Sequence, residues 1–216
     1  MRIGILGSGL MGGKLGTLFA KAGHEVVFSY ARSRSKLEAL AREAGSRARA
    51  GTPREAVQDA DALLFSVHWN RVDDVLRQAG DLSRKVVVTC SLPMDDDDTS
   101  LIVGHTASGA EVLARKAAGA RVVSAFGTVP SEVLTSVFEA REGEARPSLV
   151  YCGDDDDAKD VAAQLIRDVG FDPVDAGPLQ VARYLEPFTL LIAKLAYEGH
   201  DGPTLAYRFE HFEQRA

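Results

Sequence analysis

The chain has 216 residues and a net charge of −6, with 45% hydrophobic and 26% charged residues. That length holds one large α/β domain, or a domain and a small appendage, and the composition is that of a folded globular chain. The acidity argues against nucleic acid as a partner. No apolar run approaches the roughly 18 residues of a membrane span, and the apolar start MRIGILGSGLMGG is interrupted by glycines with no cleavage site after it.

Short apolar runs alternate with longer amphipathic ones. Residues 2–6 read as a strand, 10–22 as a helix stopped by Gly23, and 25–29 as a second strand. Residues 36–43 have helical spacing and end near Gly45. Pro53 suits the first turn of a short helix, because the N–H it lacks would be unpaired there. The runs ALLFSV (62–67) and VVVTC (86–90) are apolar throughout, as in strands covered on both faces. A helix over 111–118, strands over 121–125 and 149–152, and a helix over 158–169 follow. A last helix is expected over 181–196, with Pro187 either kinking it or marking its true start. Repeated strand–helix–strand order implies an α/β fold with a doubly wound, mostly parallel sheet. The alternation weakens after Phe126, which divides the chain into a main sheet domain over 1–125 and a smaller packed-on C-terminal α/β unit over 126–216.

Gly7-Ser8-Gly9-Leu10-Met11-Gly12 is G-x-G-x-x-G, set between an apolar strand and an amphipathic helix with a second strand beyond. That context reads as a Rossmann dinucleotide turn. Gly7 allows the tight turn, Gly9 lets the backbone approach a pyrophosphate, and Gly12 lets helix and strand pack, while the helix N-terminus supplies free N–H groups. Arg32 stands 20 residues after Gly12. A site for NAD usually places Asp or Glu in this region, to accept from the ribose 2′-OH. Here the chain reads Arg32, Ser33, Arg34, Ser35, Lys36. Those cations and hydroxyls suit a 2′-phosphate, and hence NADP(H), without deciding which of Arg32, Arg34 and Lys36 makes the contact.

No catalytic residue is assigned. His68 follows a strand at the end of the sheet where ligands bind, and His105 lies in a loop before a helix. His24 reads as a turn residue, and His200 and His211 belong to a polar tail. No metal or nucleophile motif is found. Asp154–Asp157 precede a helix, where acids cap free N–H groups, and Asp95–Asp98 read as a solvated loop. Cys90 and Cys152 read as buried free thiols of a reducing, cytoplasmic setting. Strong dinucleotide binding without an acid–base catalyst suits hydride transfer from a nicotinamide to a second redox ring, where alignment and exclusion of water suffice.

The segments GSGLMGG, HEVVFS with its basic follow-on, SVHW, TASGAEVLA, VVSAFGTVP, YCGDDDDAK and VDAGPLQVARYLEP resemble, in order, the F420-dependent NADP oxidoreductases. The resemblance implies a Rossmann domain with a small C-terminal unit, a homodimer, and hydride exchange between NADP(H) and the deazaflavin coenzyme F420, or a flavin-like ring, as small-molecule substrate. It places Ser8, Gly9, Leu10 and Met11 at the pyrophosphate and Arg32, Ser33 and Lys36 at the 2′-phosphate. Val67, His68 and Trp69 fall on the nicotinamide side. Ser91, Leu92 and Pro93, with Gly127, Thr128, Val129 and Pro130, form the deazaflavin face. Gly127 stands where members carry histidine, and His68 where a proline is common. Two other readings stay open: reduction of a small imine or carbonyl with His68 or His105 as acid, and an NADPH-binding sensor without turnover.

Overall fold

In the computed structural model, which describes residues 1–143 and 145–212, the apolar runs expected as buried strands lie at the centre of a single sheet. They are β1 (Arg2–Leu6), β4 (Ala62–Phe65) and β5 (Val86–Thr89). Every residue of β4 and β5 is buried, which is why they read as continuous apolar runs rather than as alternations. With β2 (Glu25–Ser29), β3 (Ala48–Ala50), β6 (Arg121–Ser124), β7 (Ser148–Gly153) and β8 (Asp172–Asp175) they form an eight-stranded sheet in the order β3-β2-β1-β4-β5-β6-β7-β8. The pairs are parallel except β6–β7, so the expected doubly wound, mostly parallel α/β fold is present.

Successive side chains of the central strands enter two separate cores. Ile3, Ile5, Leu64 and Val88 pack under α1 (Leu10–Lys21), α2 (Arg34–Ala44), α6 (Val133–Glu139) and α7 (Asp156–Asp168). Leu6, Leu63, Phe65 and Val87 pack under α3 (Pro53–Gln58), α4 (Val72–Ala79), α5 (Gly109–Lys116) and α8 (Ala182–Tyr197). The strand period of two thus distributes one apolar run between two helical layers.

Pro53 opens α3 behind a capping box, with Thr52 accepting from the Glu55 N–H and the Glu55 carboxylate accepting from the Thr52 N–H at 2.6 Å. The 154–157 run divides its work. Asp155 caps α7 by accepting from the Ala158 N–H at 2.8 Å, and Asp154 accepts from the Leu179 N–H at 2.8 Å. Pro187 does not start the last helix, which begins at Ala182 and contains it.

Among the described residues, four strands and α-helices lie outside the expected set: β3, α4, α6 and β8. β3 is three residues long and β8 is a half-exposed edge strand with Pro173 inside it, so neither carries an apolar run. α4 does carry a helical pattern in Val72, Val75 and Ala79. Beyond residue 126 the chain adds β7 and β8 to the same sheet, with β7 reversed against β6.

Candidate functional site

The strand order reverses between β1 and β4, so their C-terminal ends part and leave a crevice where open α/β sheets bind ligands. A cleft of about 980 Å3 occupies that place. The glycine turn forms its floor. Gly7 has φ +110°, and a Cβ there would strike the Ser66 carbonyl across the crevice. A Cβ on Gly12 would strike the Gly7 carbonyl. A Cβ on Gly9 would meet only open space, because Gly9 faces the cleft.

The turn is pinned from behind by β2. The Gly7 N–H donates to the Ser29 carbonyl at 3.2 Å and the Ser8 N–H to the Tyr30 carbonyl at 3.0 Å. The Ser8 hydroxyl is fully buried and donates to the Ser29 carbonyl at 2.9 Å. Ser8 therefore reaches the cleft with its hydroxyl and N–H already committed. The free donors lie further on. No side chain caps α1 and its first turn holds no acid, whereas α2, α3, α5 and α7 are capped by Ser33, Thr52, Ser108 and Asp155. The N–H groups of Leu10, Met11 and Gly12 have no partner within a helix; Leu10 and Met11 line the cleft, and the positive end of the dipole there suits an anion.

At one end of the cleft stand Tyr30, Ala31, Arg32 and Lys36. Tyr30 sits at φ 55°, which turns the chain sharply out of β2. Its hydroxyl donates to Asp74 Oδ2 at 2.7 Å. Burial, then the Asp74 carboxylate, raises the phenol above its ordinary range. Asp74 is held below the usual carboxylate range, chiefly by that same hydrogen bond. Ser33 accepts from the Lys36 N–H at 3.3 Å as the cap of α2. Arg34 lies outside the cleft lining: its Nε donates to Glu38 at 3.0 Å on the exposed face of the helix. Arg71 also lines the cleft, close enough to Tyr30 to act on its phenol, and adds a cation that the motif reading did not reach.

At the other end lie Val67, His68, Trp69, Ser91 and Leu92. The buried Ser91 joins the two strand ends: its Oγ accepts from the Val67 N–H at 2.9 Å. Cys90 also lines this end, and burial pushes its thiol up to about 11. His68 is exposed, with Nδ1 3.6 Å from Asp98 Oδ2. The 95–98 loop is more ordered than a simple solvated run. Asp95 accepts from the Thr99 and Ser100 N–H groups at 2.7 and 3.2 Å. Asp96 accepts from Asn70 at 3.1 Å, and Met94 pairs with Leu101, so the loop flanks the cleft beside Trp69.

Not every expected residue reaches the cleft. Pro93 is buried. Thr128 and Val129 are 3% and 4% exposed, and Pro130 is buried with them. The Thr128 hydroxyl lies 2.7 Å from the Tyr207 hydroxyl, and Val129 joins the core under α6. Gly127 and Thr128 instead line a small second cavity, next to Ser91 and Leu92. His105 is exposed on the loop before α5, and His200 and His211 are exposed in the tail. His24 is a buried turn residue, with Nε2 2.9 Å from Asp168 and Nδ1 3.3 Å from the N-terminal ammonium. Cys152 is a buried free thiol, pushed up to about 12 by burial, and Cys90 is free but only partly buried. Among the described residues no group of three or more His, Cys, Asp or Glu could hold a metal, and no helix is long and apolar enough to cross a membrane.

Comparison with known proteins agrees with this geometry. Residues 2–93, which contain the glycine turn, the basic loop and Trp69, match the family described as NADP oxidoreductase coenzyme F420-dependent. Over these residues the match bears out the family resemblance read from the sequence and supports an NADP-dependent oxidoreductase. A curated relative, the metalloreductase STEAP3 of Rattus norvegicus, is 29% identical over 192 residues, covering 88% of this chain and 36% of that protein. The chain therefore spans about a third of that relative's length. Among solved structures, a protein of Arthrobacter sp. FB24 described provisionally as an F420-dependent NADP reductase has a TM-score of 0.84 at 21% identity, covering 98% of this chain and all of that one. The imine reductase of Myxococcus stipitatus in complex with NADP+ has a TM-score of 0.63 at 20% identity, covering 88% of this chain and 60% of that one. At these identities the two structures bear on the fold.

Proposed function

We propose, from the match of residues 2–93 to the F420-dependent NADP oxidoreductases, that this chain passes a hydride between NADP(H) and a deazaflavin, coenzyme F420, or a flavin-like ring. One observation carries the reading. The uncapped, acid-free N-terminus of α1 opens into a cleft with Arg32 and Lys36 at one end and Trp69 and Leu92 at the other. The residues fit the cofactor. Leu10, Met11 and Gly12 would hold the pyrophosphate with backbone N–H groups, and Gly9 leaves the space it needs. Arg32, Lys36 and the Ser33 hydroxyl would take the 2′-phosphate, with Arg34 further out. Val67, His68, Trp69 and Ser91 would line the nicotinamide, and Leu92 and Pro93, with Gly127 to Pro130 behind them, would support the acceptor ring. NADPH, when bound, supplies the hydride from C4 of its nicotinamide. The chain's part is to align two rings at about 3–3.5 Å and to keep water away. The apolar wall of Val67, Trp69 and Leu92 serves both. A cytoplasmic homodimer belongs to the same proposal, as does the division at residue 125.

Mixing the protein with NADPH and F420, FMN or FAD and following cofactor absorbance tests this reading. Oxidation of NADPH with one of the three is expected, and inertness toward all three overturns it. A second reading is favoured by the place of His68, the one histidine among the described residues that lines the cleft. As a proton donor beside the nicotinamide it would suit reduction of a small imine or carbonyl. NADPH consumption with such substrates, abolished in His68→Gln, would decide for it. Tight NADPH binding without turnover on any acceptor would instead mark a sensor.

A further inference from the structure

Helix α8 carries a carboxylate into the interior, where Glu186 is 3% exposed. Its Oε2 accepts from the Gly109 N–H at 2.9 Å and its Oε1 from the Ala110 N–H at 3.0 Å. These two residues open α5, which already has a cap, Ser108, accepting from the Glu111 N–H at 3.1 Å. The other side of Gly109 faces the back of the cleft wall: a Cβ there would lie 2.8 Å from the buried Pro93 Cδ and 3.2 Å from the ring of Trp69, which lines the cleft. One peptide therefore has Glu186 at its N–H and Trp69 and Pro93 at its Cα. A cavity of about 10 Å3, the size of one water molecule, lies beside the carboxylate and is lined by Thr89, Ser91, Thr128 and Thr189.

We propose that Glu186 is a positioning residue of the cleft: by holding the N–H groups of Gly109 and Ala110 it sets where Trp69 and Pro93 stand, and its change of charge moves that wall. The inference rests on the reading that Trp69 lines the nicotinamide side. As a carboxylate, Glu186 accepts both N–H groups. Once protonated, one of its oxygens carries a proton and faces an N–H as a donor, so one of the two bonds is weakened and the first turn of α5 is released from it. Burial drives the group toward the neutral form, pushing it up to about 7 against the pull of the two N–H bonds, and Glu111 adds to the rise. The charged and titratable groups around it are few. Glu111 on α5 is itself paired with Arg183 of α8, with contacts of 2.7 and 2.9 Å. The Cys90 and Cys152 thiols are pushed up to about 11 and about 12. His68, next to Trp69 in the chain, and His105, on the loop before α5, are the nearby imidazoles.

Trp69 is the only tryptophan of the chain, so intrinsic emission reads this wall directly and without cofactor. Emission is recorded across about pH 5 to 8 for the wild type, Glu186→Gln and a His68→Gln/His105→Gln double variant. A single transition near neutrality is expected in the wild type and in the double variant. Glu186→Gln, which presents one acceptor and one donor at every pH, should show none and keep the wild type's acid-form spectrum. A transition that persists in Glu186→Gln, or is lost with the two histidines, overturns the proposal. Circular dichroism establishes that Glu186→Gln is folded. Should it not fold, Gly109→Ala decides, since it leaves Glu186 in place and pushes a methyl group at Pro93 and Trp69. A shifted emission maximum is expected there, and an unchanged one defeats the link. Adding NADPH to the wild type separates the two readings: failure to quench Trp69 counts against the proposed function and leaves the pH transition standing.

Discussion

The Val67 N–H donates to Ser91 Oγ at 2.9 Å, which ties the end of β4 to the end of β5 beneath one end of the cleft. Ser91 is 8% exposed, so water does not replace that acceptor readily. Ser91→Ala leaves a part-buried N–H unpaired, and a loss of about 1–2 kcal/mol in folding stability is expected from urea denaturation. Val67 borders the cleft, so the same variant should also bind NADPH more weakly. A variant as stable as the wild type would remove Ser91 from this role.

The basic loop makes a graded prediction. Arg32 and Lys36 line the cleft, whereas Arg34 is engaged with Glu38. A charge-assisted hydrogen bond contributes about 1.5–3 kcal/mol, so Arg32→Ala and Lys36→Ala should each weaken NADPH about tenfold to a hundredfold. NADH, which lacks the 2′-phosphate, should be little affected, and Arg34→Ala should cost least. Calorimetric titration of the variants with both nucleotides measures this, and equal losses for NADPH and NADH would refute the clamp.

The glycines of the turn should separate folding from binding. At Gly12 a methyl group meets the Gly7 carbonyl, so Gly12→Ala is expected to lower the thermal midpoint and abolish NADPH binding together. At Gly9 a methyl group meets only the open cleft. Gly9→Ala should therefore melt like the wild type and bind NADPH far more weakly, because the methyl occupies space that the pyrophosphate needs.

Glu186 also makes folding stability depend on pH. The folded state raises this carboxyl from 4.5 to about 7. A raised value means that its contribution is fully present below the unfolded value and is lost as pH climbs through the folded one. The difference of about 2.5 pH units corresponds to roughly 3 kcal/mol. Glu55, Asp74, Asp81, Asp95 and Glu111 are lowered instead, so their contributions are lost only as pH falls into the acid range. Urea unfolding at about pH 5 and 8 isolates the Glu186 effect. The wild type should lose stability on going to pH 8, and Glu186→Gln should lose markedly less. Equal slopes would contradict the assignment.

Local patterns in the sequence determined most of the sheet and the part of the cleft built around the glycine turn. An apolar run buried on both faces, a glycine turn with its φ demand, and a cation cluster after the second strand are all short-range signals; the run and the turn stand where they were expected, and of the cations Arg32 and Lys36 line the cleft while Arg34 does not. Distance in the chain decided the rest. Arg71, Met94 and Asp98 reach the cleft because β4 and β5 are neighbours and their loops fold toward each other, which no local period records. Thr128 and Val129 look like a second face of the site by their motif, yet a hydroxyl partner at Tyr207, 79 residues on, and the core under α6 hold them inside. Glu186 reads in sequence as one more acid in a helix. Only the docking of α8 on α5 buries it against two N–H groups 76 and 77 residues away, and the free energy of that burial is a property of the tertiary structure alone.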